Sequence, residues 1–213
     1  MLINGTVVDQ VNNTKFLGVH IDSCFTWERH ILSVRTKTAK GIGIINKARS
    51  MLGIKTLKTL YYSFVYPHLT YCNEVWGKAA VTYLSKLWLL QKRIVRIINS
   101  APFRAESEPL FRKLGFLNIY QIYKYKINAF MFRFVKGMLP QTFDTVFRRR
   151  IATVSPTTRQ RHKLIIPHCR TTAYQNTIYY QGPHEWNRTS DKIDHFCSVH
   201  AFKAKLKKCL LSV

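Results

Sequence analysis

Apolar residues recur along most of this chain at steps of three and four, the spacing of one face of an α-helix. Only the first two dozen residues alternate instead. In that N-terminal stretch Asn4-Gly5 is a two-residue turn signal, Thr6 to Val11 is β-prone, and Asn12-Asn13 is a second turn before a strand over Lys15 to Ile21. Gly18 falls inside that strand, where a missing side chain marks a bulge or a close backbone approach. Thr26 can then cap a helix reaching about Met51, with Gly53 as its stop and Ile31, Val34, Thr38, Ile42 and Ile45 on one face. Thr56 can cap the next helix, which Pro67 must kink or break. A third runs from about Val81 to Asn99 on a stripe that includes Leu84, Leu87, Ile94, Val95 and Ile98. Ser107 to Leu114 is a short helix stopped by Gly115, and Tyr120 to Lys136 is another, ended by Gly137.

Beyond Pro140 the period is lost. Arg148-Arg149-Arg150 and Thr153 to Arg161 read as exposed basic loop. His162 to Thr171 has a short β-prone core that Pro167 confines to an edge. Tyr179 to Asn187 reads as a turn around a buried Trp186, and Ser198 to Leu211 as an amphipathic helix with Val199, Phe202, Leu206 and Leu210 inward. The pattern therefore predicts a mainly α fold. A small N-terminal antiparallel β-meander leads into a helical bundle, and an irregular α+β segment closes the chain. The divisions fall at 1–25, 26–140, 141–178 (basic loop or linker) and 179–213 (turn and amphipathic helix).

Composition changes this picture in one respect. The 213 residues are 46% hydrophobic and 13% aromatic, as a folded core requires, but 34 Lys and Arg face only 10 Asp and Glu, a formal charge of +24. Such self-repulsion is tolerated when a polyanion shares the surface, and nucleic acid is the commonest one. An anionic membrane surface or an RNA-rich particle is the alternative. The first long helix carries Arg29, Arg35, Lys37, Lys40, Lys47 and Arg49 against the single acid Glu28. The third carries Lys86, Lys92, Arg93 and Arg96 with no acid at all. Like charges three and four apart on a helix repel unless an anion lies across them. That makes Lys40, Lys86, Lys92, Arg93 and Arg96, with Arg104 in the following loop, the candidate phosphate contacts. The aromatic set Tyr61, Tyr62, Phe64, Tyr66, Tyr71 and Trp76 fits a core better than a base-stacking surface.

Catalytic constellations are scarce. The chain has no Asp-Asp pair, phosphate-binding glycine loop, G-x-S-x-G elbow or H-E-x-x-H step. Two-metal chemistry needs convergent carboxylates, and the acids here are scattered. The five cysteines form no C-x-x-C pair, so no disulfide framework or thiolate zinc site is indicated. His195, Cys197 and His200 match no structural-zinc spacing. No metal or other cofactor is expected. With neither a secretory leader nor an uninterrupted apolar run of spanning length, an intracellular location (nuclear or cytoplasmic) and no membrane partner are expected.

Four blocks in order carry a family resemblance. KFLGVHID followed by a W-x-x-HI step (Lys15 to Ile31), LYYSFVYPHLTYCNEVWG (Leu60 to Gly77), LQKRIVRIINSAPFRAESEPLFRKLGFLNI (Leu90 to Ile119) and YQGPHEWN (Tyr180 to Asn187) resemble the region after the catalytic palm of non-LTR, LINE-type (jockey-like) retrotransposon reverse transcriptases. The resemblance implies primer-grip strands with Phe16, Leu17 and Gly18 near a primer end. It also implies a thumb-like helical bundle that grips an RNA or RNA–DNA template-primer backbone, and then a C-terminal extension. Finger and palm blocks with their aspartates would precede Met1. Polymerisation by this chain alone is therefore not expected, and a palm-containing polymerase chain is implied as a partner. The competing expectation is an inert or assembly-only relic of a retrotransposon reading frame.

Overall fold

A computed structural model describes residue 9, residues 11–149, 163–190 and 198–212, and the backbone of Leu2–Ile3 and Thr6–Val7. The fold is mainly α with a small antiparallel β region at the N-terminus. Strands β1 (Leu2–Ile3) and β2 (Thr6–Val7) pair with Leu2 opposite Val7, and β3 (Asn13–Phe16) and β4 (Val19–Asp22) pair with Phe16 opposite Val19. The turn expected at Asn4-Gly5 lies outside the described residues, as do the basic tract Thr153 to Arg161 and the His195 and Cys197 positions.

The strand expected over Lys15 to Ile21 is in fact a hairpin. Leu17 and Gly18 form its two-residue turn with φ of 47° and 82°, so Gly18 supplies a left-handed turn position and not a mid-strand bulge. Tyr71 secures the tip, its hydroxyl donating to the Leu17 carbonyl at 2.6 Å. After β4 the Asp22 carboxylate accepts the backbone N–H groups of Cys24, Thr26 and Trp27 at 3.2, 2.9 and 2.9 Å. This side chain organises the entry to helix α1 (Glu28–Ala48), whose N-cap position is Trp27 at φ 65°, while Thr26, one residue earlier, accepts the Glu28 N–H on Oγ1 at 3.4 Å.

Helix α2 (Ile54–Phe64) starts from Gly53, with Thr56 already inside its first turn and not capping it. Pro67 restarts the chain as α3 (Tyr66–Thr70), followed by α4 (Asn73–Trp76), α5 (Val81–Ile98) and α6 (Glu108–Leu114), which Gly115 closes at φ 69°. Helix α7 (Ile119–Val135) begins on a capping box, with Asn118 and Gln121 satisfying each other's backbone N–H groups at 2.9 and 3.0 Å.

Two apolar cores share α7. Ile31, Ile45, Leu57, Tyr61, Leu87, Ile94 and Ile122 are among those that fill the first, between α1, α2, α5 and α7. Met131, Phe132, Phe147, Leu164, Trp186 and Phe202 make the second. Buried Gln91 of the first core donates to the Leu117 carbonyl at 3.2 Å and to the Tyr61 hydroxyl at 3.4 Å.

Between 141 and 178, α8 (Thr142–Val146) and α9 (Thr172–Gln175) are short, and Leu164 makes a single bridge to Arg149. Tyr179 to Asn187 is not a turn: it lies within helix α10 (Ile178–Thr189). Gly182 there lets α10 press against α7, since a Cβ at that position would stand 2.7 Å from the Met131 sulfur. Helix α11 (Val199–Leu211) is capped by Ser198 and buries Phe202 and Leu206. Among the described residues no helix is long and apolar enough to cross a membrane.

Candidate functional site

Helices α1 and α5 pack side by side and end together, and the site forms where they end. Arg49, the residue closing α1, and Arg93 and Arg96 in the last turns of α5 line one open cleft of about 320 Å³. Asn46, Ile97, Ala101 and Phe103 complete its wall. The reason is local. Arg93 and Arg96 are three apart, so they share one face of α5. Apolar Ile94, Val95 and Ile98 point the opposite way into the core.

Arg96 has a second task. Its Nε donates to the Ala105 carbonyl at 2.8 Å, and its own carbonyl accepts from the Ala101 N–H at 2.9 Å. The 101–105 loop is thus pinned to the helix end at both of its feet. The ion pairs among the described residues include Lys126 with Glu74 and Arg188 with Glu185. None neutralises the three cleft arginines. Three uncompensated guanidinium groups in one cleft raise the local potential and present fork-shaped donors suited to a phosphate.

The structure brings together only some of the residues named from sequence. Arg93 and Arg96 meet in the cleft. Lys86 precedes Arg93 by two turns on the same side of α5, its ammonium 5.5 Å from the Tyr83 ring. Lys92 is turned about 100° away and lies 4.9 Å over the ring of Trp88, which stacks on Phe111. Arg104 is exposed on the loop but does not line the cleft. Lys40 is exposed nine residues before Arg49, which on a helix is about 180° around the axis, so it faces away. Phe16, Leu17 and Gly18 form the hairpin tip, with Phe16 and Leu17 exposed. Their hairpin meets α1 near its start, where the His20 N–H reaches the His30 ring, and His30 is roughly 28 Å along the helix from Arg49.

Sequence reasoning counted Arg49 among the cations of α1 but did not join it to α5, and it passed over Asn46 and Phe103. Their meeting depends on how α1 crosses α5, for which no local signal exists. Of the aromatic set, Tyr61 and Trp76 are core, whereas Tyr62, Phe64 and Tyr71 remain exposed. Among the described residues no three His, Cys, Asp or Glu side chains converge as metal ligands.

At the hairpin end, partial burial works against the charged form of Asp22. The backbone donors from Thr26, Trp27 and Cys24 outweigh it and hold the carboxyl below its usual pKa. The loop that carries the hairpin into α1 is therefore built around an ionised carboxylate.

Known proteins resemble this chain over part of its length. The RNA-directed DNA polymerase from mobile element jockey of Drosophila funebris is 35% identical over 105 residues, 47% of this chain and 11% of that protein. The jockey RNA-directed DNA polymerase of Drosophila melanogaster is 31% identical over 138 residues, 60% of this chain and 15% of its own length. A probable RNA-directed DNA polymerase from transposon X-element of Drosophila melanogaster is 26% identical over 117 residues, 53% of this chain and 13% of its own. No family model matches the chain, and no solved structure matches it significantly. About half of the chain is thus similar to a short portion of RNA-directed DNA polymerases from mobile elements, which fits part of a reverse transcriptase of a LINE-type element.

Proposed function

We propose that this chain holds the sugar-phosphate backbone of nucleic acid, RNA or an RNA–DNA hybrid, as a thumb-like template-primer grip and without catalysis of its own. The observation that carries this reading is the arginine cleft. Arg49, Arg93 and Arg96 converge from two helices, and among the described residues no carboxylate is paired to them. The whole chain carries a formal charge of +24, and the relatives matched are RNA-directed DNA polymerases by name. Lys86 and Arg104 extend the positive surface on either side of the cleft. The hairpin tip at Phe16 to Gly18 offers a second contact, for the primer end. Polymerase chemistry would come from a palm-containing polymerase chain.

Binding to a labelled RNA–DNA hybrid, followed as a function of salt, tests the proposal. Three or more phosphate contacts predict that log K falls with log salt at a slope of about −2.5 or steeper. A slope near zero would sink the reading.

A further inference from the structure

The cleft offers an aromatic face as well as charge. Phe103 is 86% exposed at the tip of the 101–105 loop, yet it lines the same wall as the arginines. A phenyl ring standing in water beside these guanidinium groups keeps its face free for a planar ligand. The loop that carries it is built and braced. Ser100, at φ 51°, turns the chain out of α5. The Ala105 N–H donates to the Pro102 carbonyl at 3.0 Å, closing a turn across Phe103, and Arg96 anchors both ends of the loop. Asn46 of α1 supplies an amide to the same cleft. The volume of about 320 Å³ is that of a small-ligand site.

Charged donors for a phosphate beside an exposed ring are the pair of features that single-strand sites combine, the ring serving as a platform for a base. In a duplex the interior base faces are already stacked on each other, so away from its two end pairs a blunt duplex can use only the arginines. We propose that the cleft takes an unpaired nucleotide, its phosphate among Arg49, Arg93 and Arg96 and its base stacked on Phe103, with the Asn46 amide available to the base edge. This rests on the nucleic-acid reading above and narrows it to a strand with unpaired bases.

The experiment compares an RNA–DNA hybrid carrying a short single-stranded overhang with a blunt hybrid of equal phosphate number. The intact chain should bind the overhang tighter by about 5- to 100-fold, the worth of one base stacked on an aromatic ring. Phe103→Ala should bring that ratio close to one and Phe103→Trp should keep it. An exposed loop-tip position puts neither variant's folding at risk. A ratio near one in the intact chain, with steep salt dependence retained, would overturn the unpaired-nucleotide site and leave the backbone-binding reading standing. So would an unaltered ratio in Phe103→Ala. Absence of salt-dependent binding to both hybrids would overturn both.

Discussion

His30 shows how tightly the start of α1 is tied to the hairpin. It is 4% exposed, lies edge-on to Trp76 at 5.4 Å, and accepts the His20 N–H on Nδ1 at 3.4 Å. Burial first, then the nearby charges of His20 and Lys37, push its pKa down to about 4. The imidazole is therefore neutral when folded and free to protonate near 6.5 when unfolded. Because the unfolded chain binds more protons below that value, this contribution to stability is complete above pH 6.5 and is lost as pH falls towards 4. Urea denaturation should show the chain losing about 2 kcal/mol from this group between pH 7 and pH 5. A His30→Gln variant should show a flatter profile over the same window, and identical profiles would contradict the assignment. Nothing in the sequence marks His30 as buried. Its position in the W-x-x-HI step reads equally well as solvent-facing, and only its packing against Trp76 decides.

At the scale of elements, two glycines on α1 carry opposite consequences. A Cβ at Gly41 would stand 2.7 Å from the Phe64 carbonyl oxygen and 2.9 Å from Val65, where α1 crosses the α2–α3 junction. A backbone carbonyl cannot step aside, so Gly41→Ala should destabilise by about 1–3 kcal/mol through overpacking. Gly43 faces open space, and Gly43→Ala should stabilise by about 0.5–1 kcal/mol because alanine loses less backbone entropy on entering a helix. Thermal melts of the two variants should move in opposite directions.

Elements α5, α6 and α7 were legible in the sequence because period and punctuation agree: an apolar stripe in each, Ser107 and Gly115 around α6, and Gly137 after α7, although the Asn118–Gln121 capping box that opens α7 was not singled out. Where glycine serves packing instead of turning, the same reasoning fails. Gly182-Pro183 looks like a turn, yet burial of Trp186 against α7 outweighs the backbone donor that Pro183 lacks. The converse error occurs at Leu17-Gly18. Leucine is a poor residue for a left-handed turn position, so the hairpin tip reads as continuous strand.

Across the whole molecule, α7 ties the two cores together, and α11 lies over their junction. Phe202 stacks on Phe132 at 4.1 Å, and Gln121, near the start of α7, donates to the Leu210 carbonyl at 2.8 Å. A cavity at Phe202 should therefore be felt throughout. Phe202→Ala is expected to cost about 3–5 kcal/mol, with fluorescence and circular dichroism still reporting one coincident unfolding transition. Separate transitions for the two cores would show that α7 does not couple them.

Charge is distributed at the same scale. The arginine cleft closes one end of α1, and the hairpin packs near the other, His20 against His30. This separation could not be read from residue spacing, because it follows from which ends of α1 and α5 meet. The central claim is that Arg49 and Arg93, distant in sequence, act together on phosphate. The most direct measurement is the salt dependence of hybrid binding for the intact chain beside an Arg49→Gln, Arg93→Gln double variant, with Arg96 kept because it pins the loop. Removing two phosphate contacts should make the log–log slope shallower by about 1.5 to 2, with the thermal melt of the free protein unchanged. An unchanged slope in the double variant would contradict the account.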